Sequence, residues 1–372
     1  MYKTLDSFNF KGKRVLVRVD INSEIRNGKV SFSERYSASV KTIKELASEK
    51  AKVVLIAHQG RPGSSDFTSL AQHSVLLRKL IPKLKFVDDI IGKKAVTVIK
   101  SLKDGDVLLL ENLRFLKDEL EPKKDNVLVR TLAPLFDYYV NDAFSVSHRK
   151  QTSITEFPKV LNSCIGRTME IELKYLKRLN TKNAVFILGG DKVEDVALLF
   201  SKKHILAAGV PALVCLLAKG YNLGAENERM KQITSEIKRE AKHITTPMDL
   251  AANINGKRKE LKLDEFPVNY RVLDIGSETT KQYCVIIKKA KSIFLKGTPG
   301  YSQMKGFEKG TVNILKAIEQ SKAFSVVAGG HTTTAVERFN IDKKKIGYMS
   351  LSGGALVHYL AGKKLPGLEA LK

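Results

Sequence analysis

Several apolar runs in the first half of the chain stop on residues suited to gripping an anion. The run 53–57 ends at His58-Gln59-Gly60-Arg61. The run 14–19 leads to Asp20-Ile21-Asn22, the run 106–110 to Glu111-Asn112-Leu113-Arg114, and the run 136–140 to Asn141-Asp142, with His148 and Arg149 just beyond. Arg35 stands at the start of the first helical pattern. Arginine holds phosphate or carboxylate through a planar fork of N–H donors. Gly60 lets the backbone turn tightly, so that His58 and Arg61 can face one small anion. Any one of these arginines is an ordinary surface residue and His58 alone is an ordinary core histidine. Their shared placement after strand-like runs points to a single cationic site.

The second half repeats the arrangement with different chemistry. Its apolar runs stop at Gly189-Gly190-Asp191-Lys192, Lys296-Gly297-Thr298-Pro299-Gly300, Gly329-Gly330-His331-Thr332 and Ser350-Leu351-Ser352-Gly353-Gly354. Glycines let backbone N–H groups approach phosphates, and helix N-termini add a favourable dipole. Neither G-x-x-x-x-G-K-S/T nor G-x-G-x-x-G occurs at these ends. A small-anion site in one half and a polyphosphate site in the other suit phosphoryl transfer, where positioning and charge stabilisation do most of the catalysis. Hinge closure would expel the water that competes as acceptor.

The elements that must position these residues follow from periodicity. RVLVRV (14–19), KVVLIA (52–57), DVLLL (106–110) and FDYYV (136–140) form one set of strands. AVFIL (184–188), SIFL (292–295), FSVVA (324–328) and IGYMSL (346–351) form a second. Such runs suit strands buried on both faces. Between them lie helical patterns: Val40, Ile43, Leu46 and Ala47 share a face with Ser33 as N-cap, and Val193, Val196, Ala197 and Phe200 share another. The fold class is therefore α/β: two Rossmann-like lobes with parallel sheets, joined by a helix over 166–179 and a hinge. The lobes are expected at 1–165 and 166–349, with 350–372 packing back on the first.

Composition narrows the setting. The 372 residues carry a net charge of +25, which favours anionic partners. The basic residues are scattered rather than blocked, so no specific nucleic-acid partner is expected. Cys164, Cys215 and Cys284 have no zinc spacing and suit a reducing cytoplasm. No run is long enough to cross a bilayer, and the N-terminus lacks a signal-peptide core.

The segments VRVDIN, AHQGRPGSSDF, LLLENLRF, VNDAFSVSHR, FILGGDKVEDV, LAKGYNLG, DIGSETT and FSVVAGGHTTTAVERF together resemble the phosphoglycerate kinase family over nearly the whole chain, with HQG and GGH closest to its archaeal branch. The resemblance implies reversible transfer between 1,3-bisphosphoglycerate with ADP and 3-phosphoglycerate with ATP, with Mg2+ carried by the nucleotide, in a cytoplasmic monomer. It implies that Asp20, Asn22, Arg35, His58, Gln59, Gly60, Arg61, Arg114 and Arg149 bind the acid substrate. Arg35, Lys192, Gly330 and Gly353 would act on the transferring group. Gly189, Gly190, Lys192, Gly297, Gln303, Gly329, Gly330, His331 and Thr332 would bind the nucleotide; the metal ligands are left open.

The nucleotide half departs from the family pattern. Asp191 replaces alanine or serine, either beside the phosphate path or as a helix N-cap. Val196 stands where many members carry a second lysine. Lys296 replaces an asparagine, Gln303 a glutamate and His331 an aspartate, and Leu351-Ser352 precede Gly353-Gly354. An alternative reading is therefore a catalytically weak or inactive phosphoglycerate-binding paralogue.

Overall fold

The computed structural model, which describes residues 2–123, 125–231, 233 and 235–372, lays the apolar runs down as strands of two parallel sheets. In chain order the first part contributes β1 (Arg14–Arg18), a hairpin of β2 (Ile25–Arg26) and β3 (Lys29–Val30), then β4 (Lys52–Ile56), β5 (Lys85–Phe86), β6 (Val107–Leu109), β7 (Tyr138–Asn141) and β8 (Asn162–Ile165). All but the hairpin form a six-stranded sheet in the order β5-β6-β4-β1-β7-β8, every pair parallel. Strand pleating sends Val15, Val17, Val53 and Leu55 into one core, with Ile43 and Leu46 of the helix Glu34–Ser48. Leu16, Val54, Ile56 and Leu108 enter the other, with Ile99 and Leu128. Both faces are covered, which is why the runs carry no polar alternation. The strand order reverses between β1 and β7, and ligands of open α/β sheets bind beyond such a switch point.

The second part contributes β9 (Val185–Leu188), β10 (His204–Ala207), β11 (Asp249–Ile254), β12 (Lys257–Lys262), β13 (Arg271–Ile275), β14 (Ser292–Lys296), β15 (Phe324–Ala328) and β16 (Tyr348–Ser350). Five of them form a parallel sheet in the order β10-β9-β14-β15-β16, whose switch point lies between β9 and β14. The remaining three form an antiparallel sheet, β12-β11-β13, that the sequence reading did not anticipate. The mostly exposed run KRKELK of β12 has too little apolar character to signal a strand.

Two compact units result, Met1–Lys174 with Lys363–Lys372, and Tyr175–Gly362. The dividing line falls inside the helix Arg167–Arg178, not before it at 165/166 as expected. The start of that helix is fastened to the first unit. Buried Asp142 accepts hydrogen bonds from Thr168 Oγ1 (2.8 Å) and the Met169 amide (3.1 Å), and Arg167 pairs with Asp6, Glu45 and Glu170. Of the segment 350–372, only Lys363–Lys372 joins the first unit; the helix Gly354–Leu360 packs on Glu194–Ala197 in the second. The returning tail is seated by the Gly367 amide, which donates to Ser147 O at 2.9 Å, two residues before Arg149. A Cβ on Gly367 would lie 2.7 Å from Ile154 Cγ2, so the close seat requires glycine.

Candidate active site

Beyond β4 and β6, buried amides build the rim of the first site. Asn112 Oδ1 accepts from the amides of Gln59 (3.2 Å) and Arg114 (3.1 Å), while its Nδ2 donates to Gln59 O and Thr68 O. Gln59 is fully buried and its amide is spent inside the protein: Oε1 accepts from the Ser23 amide (2.8 Å) and His73 Nε2 (2.9 Å), and Nε2 donates to Ser23 O and Asp66 O. Gln59 thus braces the loop, which corrects the expectation that it contacts substrate. The Gly60 amide donates to Asn22 Oδ1 at 3.0 Å. Gly60 has φ +64°, and a Cβ there would lie 2.4 Å from Asp66 O, so only glycine makes this turn.

Five guanidiniums act on this rim, one more than the sequence suggested. Arg18, at the end of β1 on the face of Leu16, is fully buried. Its Nη2 meets His58 Nδ1 at 2.9 Å, its Nη1 donates to Val19 O at 2.5 Å, and its Nε donates to Ser153 Oγ at 2.9 Å. Ser153 Oγ in turn donates to the buried Glu119 carboxylate, a relay that connects Arg18 to a countercharge through a hydroxyl. A guanidinium only donates, so His58 Nδ1 is the acceptor and Nε2 carries the proton. Burial holds the His58 pKa well below its ordinary value, and the fields of Arg18, Arg114, Arg149 and Arg35 add to that effect. His58 is therefore a neutral donor.

Arg114 is pushed down to about 10, first by burial and then by Arg149, Arg18 and Arg61, and remains cationic at neutral pH. One of its Nη atoms bonds Gly60 O, while its buried Nε has no hydrogen-bond partner. Burial, with Arg61 and Arg18, also lowers the pKa of Arg149. Arg61 is exposed at the lip. Arg35 pairs with Asp20, whose carboxylate also accepts from Ser145 Oγ and from the Asn22 amide (3.1 Å). Asp20 therefore orients Arg35. Like charges gathered this closely, with an unmatched buried donor among them, define a site for a small polyanion.

The second unit holds a cavity of about 290 Å³ beyond β9, β14 and β15. Gly189, Gly190, Lys192 and Gly297 line it from one side, and Gln303, Gly329, Gly330, His331 and Thr332 from another. Gly353 does not line it and instead stands before the helix Gly354–Leu360. Two glycine loops cross at its floor: Gly297 has φ +79°, and a Cβ on it would lie 2.3 Å from Gly189 O. The amides of Gly189 and Gly190 donate to Lys296 O (2.9 Å) and Thr298 O (3.0 Å). These two amides are thus spent on the crossing and are not open to phosphate, a correction to the sequence-based reason for the glycines. The open amides belong to the first turn of the helix Gly330–Arg338.

The cavity wall also contains residues that the sequence reading did not select. Leu213, Leu250 and Leu273 supply apolar surface, and Arg229 and Arg271 line the wall while pairing with the buried Glu226. Lys296 and Asp195 also line it, their charged atoms 3.9 Å apart. Asp191 is exposed on the wall and caps no helix: the short helix Glu194–Ala197 has Val193 at its N-cap, which overturns the capping alternative. His331 Nδ1 accepts from Gln303 Nε2 at 3.3 Å, leaving the Gln303 carbonyl as an acceptor. Among the described residues no group of three or more His, Cys, Asp or Glu side chains is placed to hold a metal.

Comparison with known proteins gives a consistent result. Residues 5–363 match the family model described as Phosphoglycerate kinase. The chain is 40% identical to the phosphoglycerate kinase of Methanothermus fervidus, covering 100% of this chain and 97% of the relative. It is 39% identical to that of Saccharolobus solfataricus, covering 99% and 96%. The crystal structure of phosphoglycerate kinase from Pyrococcus horikoshii superposes with a TM-score of 0.91 at 36% identity, covering 100% of this chain and 98% of that one.

Proposed function

Since the chain belongs to the phosphoglycerate kinase family and is a phosphotransferase, we propose that its two sites divide the reaction, the first unit taking 3-phosphoglycerate and the second ADP or ATP. The reaction is reversible phosphoryl transfer between 1,3-bisphosphoglycerate with ADP and 3-phosphoglycerate with ATP. Nothing in the comparisons favours an inactive paralogue. The observation that supports the assignment of sites is the ring of Arg18, Arg35, Arg114 and Arg149 around neutral His58. Such a ring fits the phosphate of a phosphorylated acid better than a bulky base.

In the direction that consumes ATP, a carboxylate oxygen of 3-phosphoglycerate attacks the γ-phosphorus. The bond to the β–γ bridging oxygen breaks, and ADP leaves with its electron pair. Arg35, oriented by Asp20, meets the charge that gathers on the transferring group, and Lys192 meets it from the nucleotide side. The open amides at Gly330 add to this, as does Gly353 once hinge closure brings donor and acceptor together. Gln303 offers its carbonyl to the ribose hydroxyls.

Mg2+ arrives with the nucleotide. It favours oxygen ligands and is commonly held by one or two carboxylates plus phosphates. Asp191 and Asp195 are suitable carboxylates in this cavity; His331 is a poor ligand for so hard a cation. When bound, the ion neutralises polyphosphate charge. We further propose a cytoplasmic monomer, a setting that suits three free thiols. The reading is tested by a coupled assay with ATP, Mg2+ and 3-phosphoglycerate; folded protein that turns over with no nucleoside triphosphate rejects it.

A further inference from the structure

We propose that Glu119 and Ser153 are positioning residues for the acid site, holding His58 through Arg18 with its Nε2–H as a donor to the phosphorylated acid; this rests on the acid-site reading above. The relay has a direction. The Glu119 carboxylate takes both donors of Ser153, the amide on Oε2 at 2.9 Å and the hydroxyl on Oε1 at 2.7 Å. A serine hydroxyl has one proton, so with that proton on Glu119 its oxygen is left to accept from Arg18 Nε at 2.9 Å. The guanidinium fork then brings Nη2 to His58 Nδ1 at 2.9 Å. A guanidinium offers only N–H, so Nδ1 accepts and the ring proton stays on Nε2. Nε2 has no hydrogen-bond partner among the described residues and is not one of the buried atoms left unpaired, so a ligand can reach it.

The ionised form of Glu119 is the one that satisfies every group here. A proton on Oε1 would leave the Ser153 hydroxyl, already taking Arg18 Nε, without its acceptor. Burial raises the pKa of Glu119, and Arg18, the two bonds from Ser153 and Arg114 oppose that rise. The relay is also built into packed elements. Glu119 lies in the helix Lys117–Leu120 and Ser153 in the helix Thr152–Thr155. Asp118 O ties the two, accepting from Thr152 Oγ1 and from Asn126 Nδ2. Arg18, Ser153 and Glu119 are all fully buried, on the face of the sheet where Leu16, Val54 and Ile56 form an apolar core. A buried cation and carboxylate joined only through a hydroxyl lose more in desolvation than their attraction returns, so stability does not account for them. Orientation of His58 does. A neutral imidazole can carry its proton on either nitrogen, and the other tautomer would turn a lone pair toward the anion.

The test reads the His58 tautomer by NMR of the ring nitrogens in ligand-free protein, with His58→Gln assigning the signal. Calorimetry gives the affinities for 3-phosphoglycerate and ADP. Unmodified protein should show a protonated Nε2 and a bare Nδ1. Ser153→Ala deletes one buried oxygen and improves helix propensity, so folding is preserved. Glu119→Gln keeps the side-chain size but cannot accept from both Ser153 donors. Both variants should show mixed tautomers, bind 3-phosphoglycerate about 5- to 20-fold more weakly and bind ADP unchanged. A His58 proton still confined to Nε2 in both would overturn the proposal. Mixed tautomers with 3-phosphoglycerate affinity intact would also overturn it, by separating the relay from binding, as would equal weakening of ADP, by making the relay a general structural support. Unmodified protein that binds no 3-phosphoglycerate would instead bring down the acid-site reading and this inference with it.

Discussion

The first unit presents an anion with charged side chains, the second mainly with backbone. Arg18, Arg35, Arg114 and Arg149 come from four separate segments and act on one buried histidine, with Arg61 acting on Arg114 and Arg149 from the lip. In the second unit the floor is a crossing of Gly189-Gly190 with Gly297, and its donors are helix amides plus two lysines. A side-chain site is specified by residue type and fails when one group is removed. A backbone site is specified by conformation and fails when a side chain is added. The molecule therefore offers two opposite ways to be broken.

The largest effect should come from the charged site. Arg35→Ala removes the cation proposed to meet the transferring group and leaves the other guanidiniums in place. We expect kcat to fall about 100- to 1000-fold, with a much smaller change in the KM for 3-phosphoglycerate. Steady-state kinetics in both directions would show this; an unchanged kcat would remove Arg35 from the chemical step. Addition, not removal, should break the second site. Gly297→Ala places a Cβ 2.3 Å from Gly189 O at φ +79°, which costs about 1–3 kcal/mol of stability. ADP affinity should fall with it while 3-phosphoglycerate affinity stays level in calorimetry. Equal loss of both ligands would mean the two sites are not separable.

How much of this could be read from the sequence follows the same division. Arg35, Arg61, Arg114, Arg149 and His58 were legible because side-chain chemistry at strand ends is written in residue type. Arg18 was not, because RVLVRV reads as one buried strand; only the pleat places Arg18 beside His58 and gives it the Ser153–Glu119 relay. Gln59 sits in the right motif yet faces inward, a direction no motif encodes. In the second unit the glycines were visible but their reason was not. The Gly189–Gly297 crossing joins segments more than a hundred residues apart, and the antiparallel sheet whose β11 and β13 help wall the cavity includes a strand, β12, too polar to announce itself. Lys296 stood out as a departure, but its burial at a switch point appears only in the sheet.

Acid separates the two sites by a smaller margin. His73, buried beneath the rim and donating to Gln59, has its pKa held down to about 4 by burial. An unfolded histidine titrates near 6.5. The unfolded chain therefore takes up the proton first, so the contribution of His73 to stability is whole above about pH 6.5 and is lost as pH falls toward 4. Between pH 6.5 and 5 the loss is about 1.5 kcal/mol. Denaturation curves of the unmodified protein and His73→Gln across this range should converge by about that amount at the lower pH. Parallel pH profiles would show that His73 titrates alike in both states.

The smallest effect probes the one place where the second site relies on side-chain charge. Asp195 is 60% exposed at its side chain and stands 3.9 Å from the Lys296 ammonium. A pair this open contributes about 0–1 kcal/mol, so it restrains Lys296 only weakly. If Asp195 competes with phosphate for that ammonium, Asp195→Asn should tighten metal-free ADP by up to about fivefold. With Mg2+ present the gain should shrink, because the same carboxylate is proposed as a ligand for the ion. The opposite sign in metal-free buffer would mean that Asp195 steers Lys296 toward the phosphate. The second site would then depend on an oriented ion pair, as Arg35 depends on Asp20 in the first, and the contrast between the two units would narrow to their glycines.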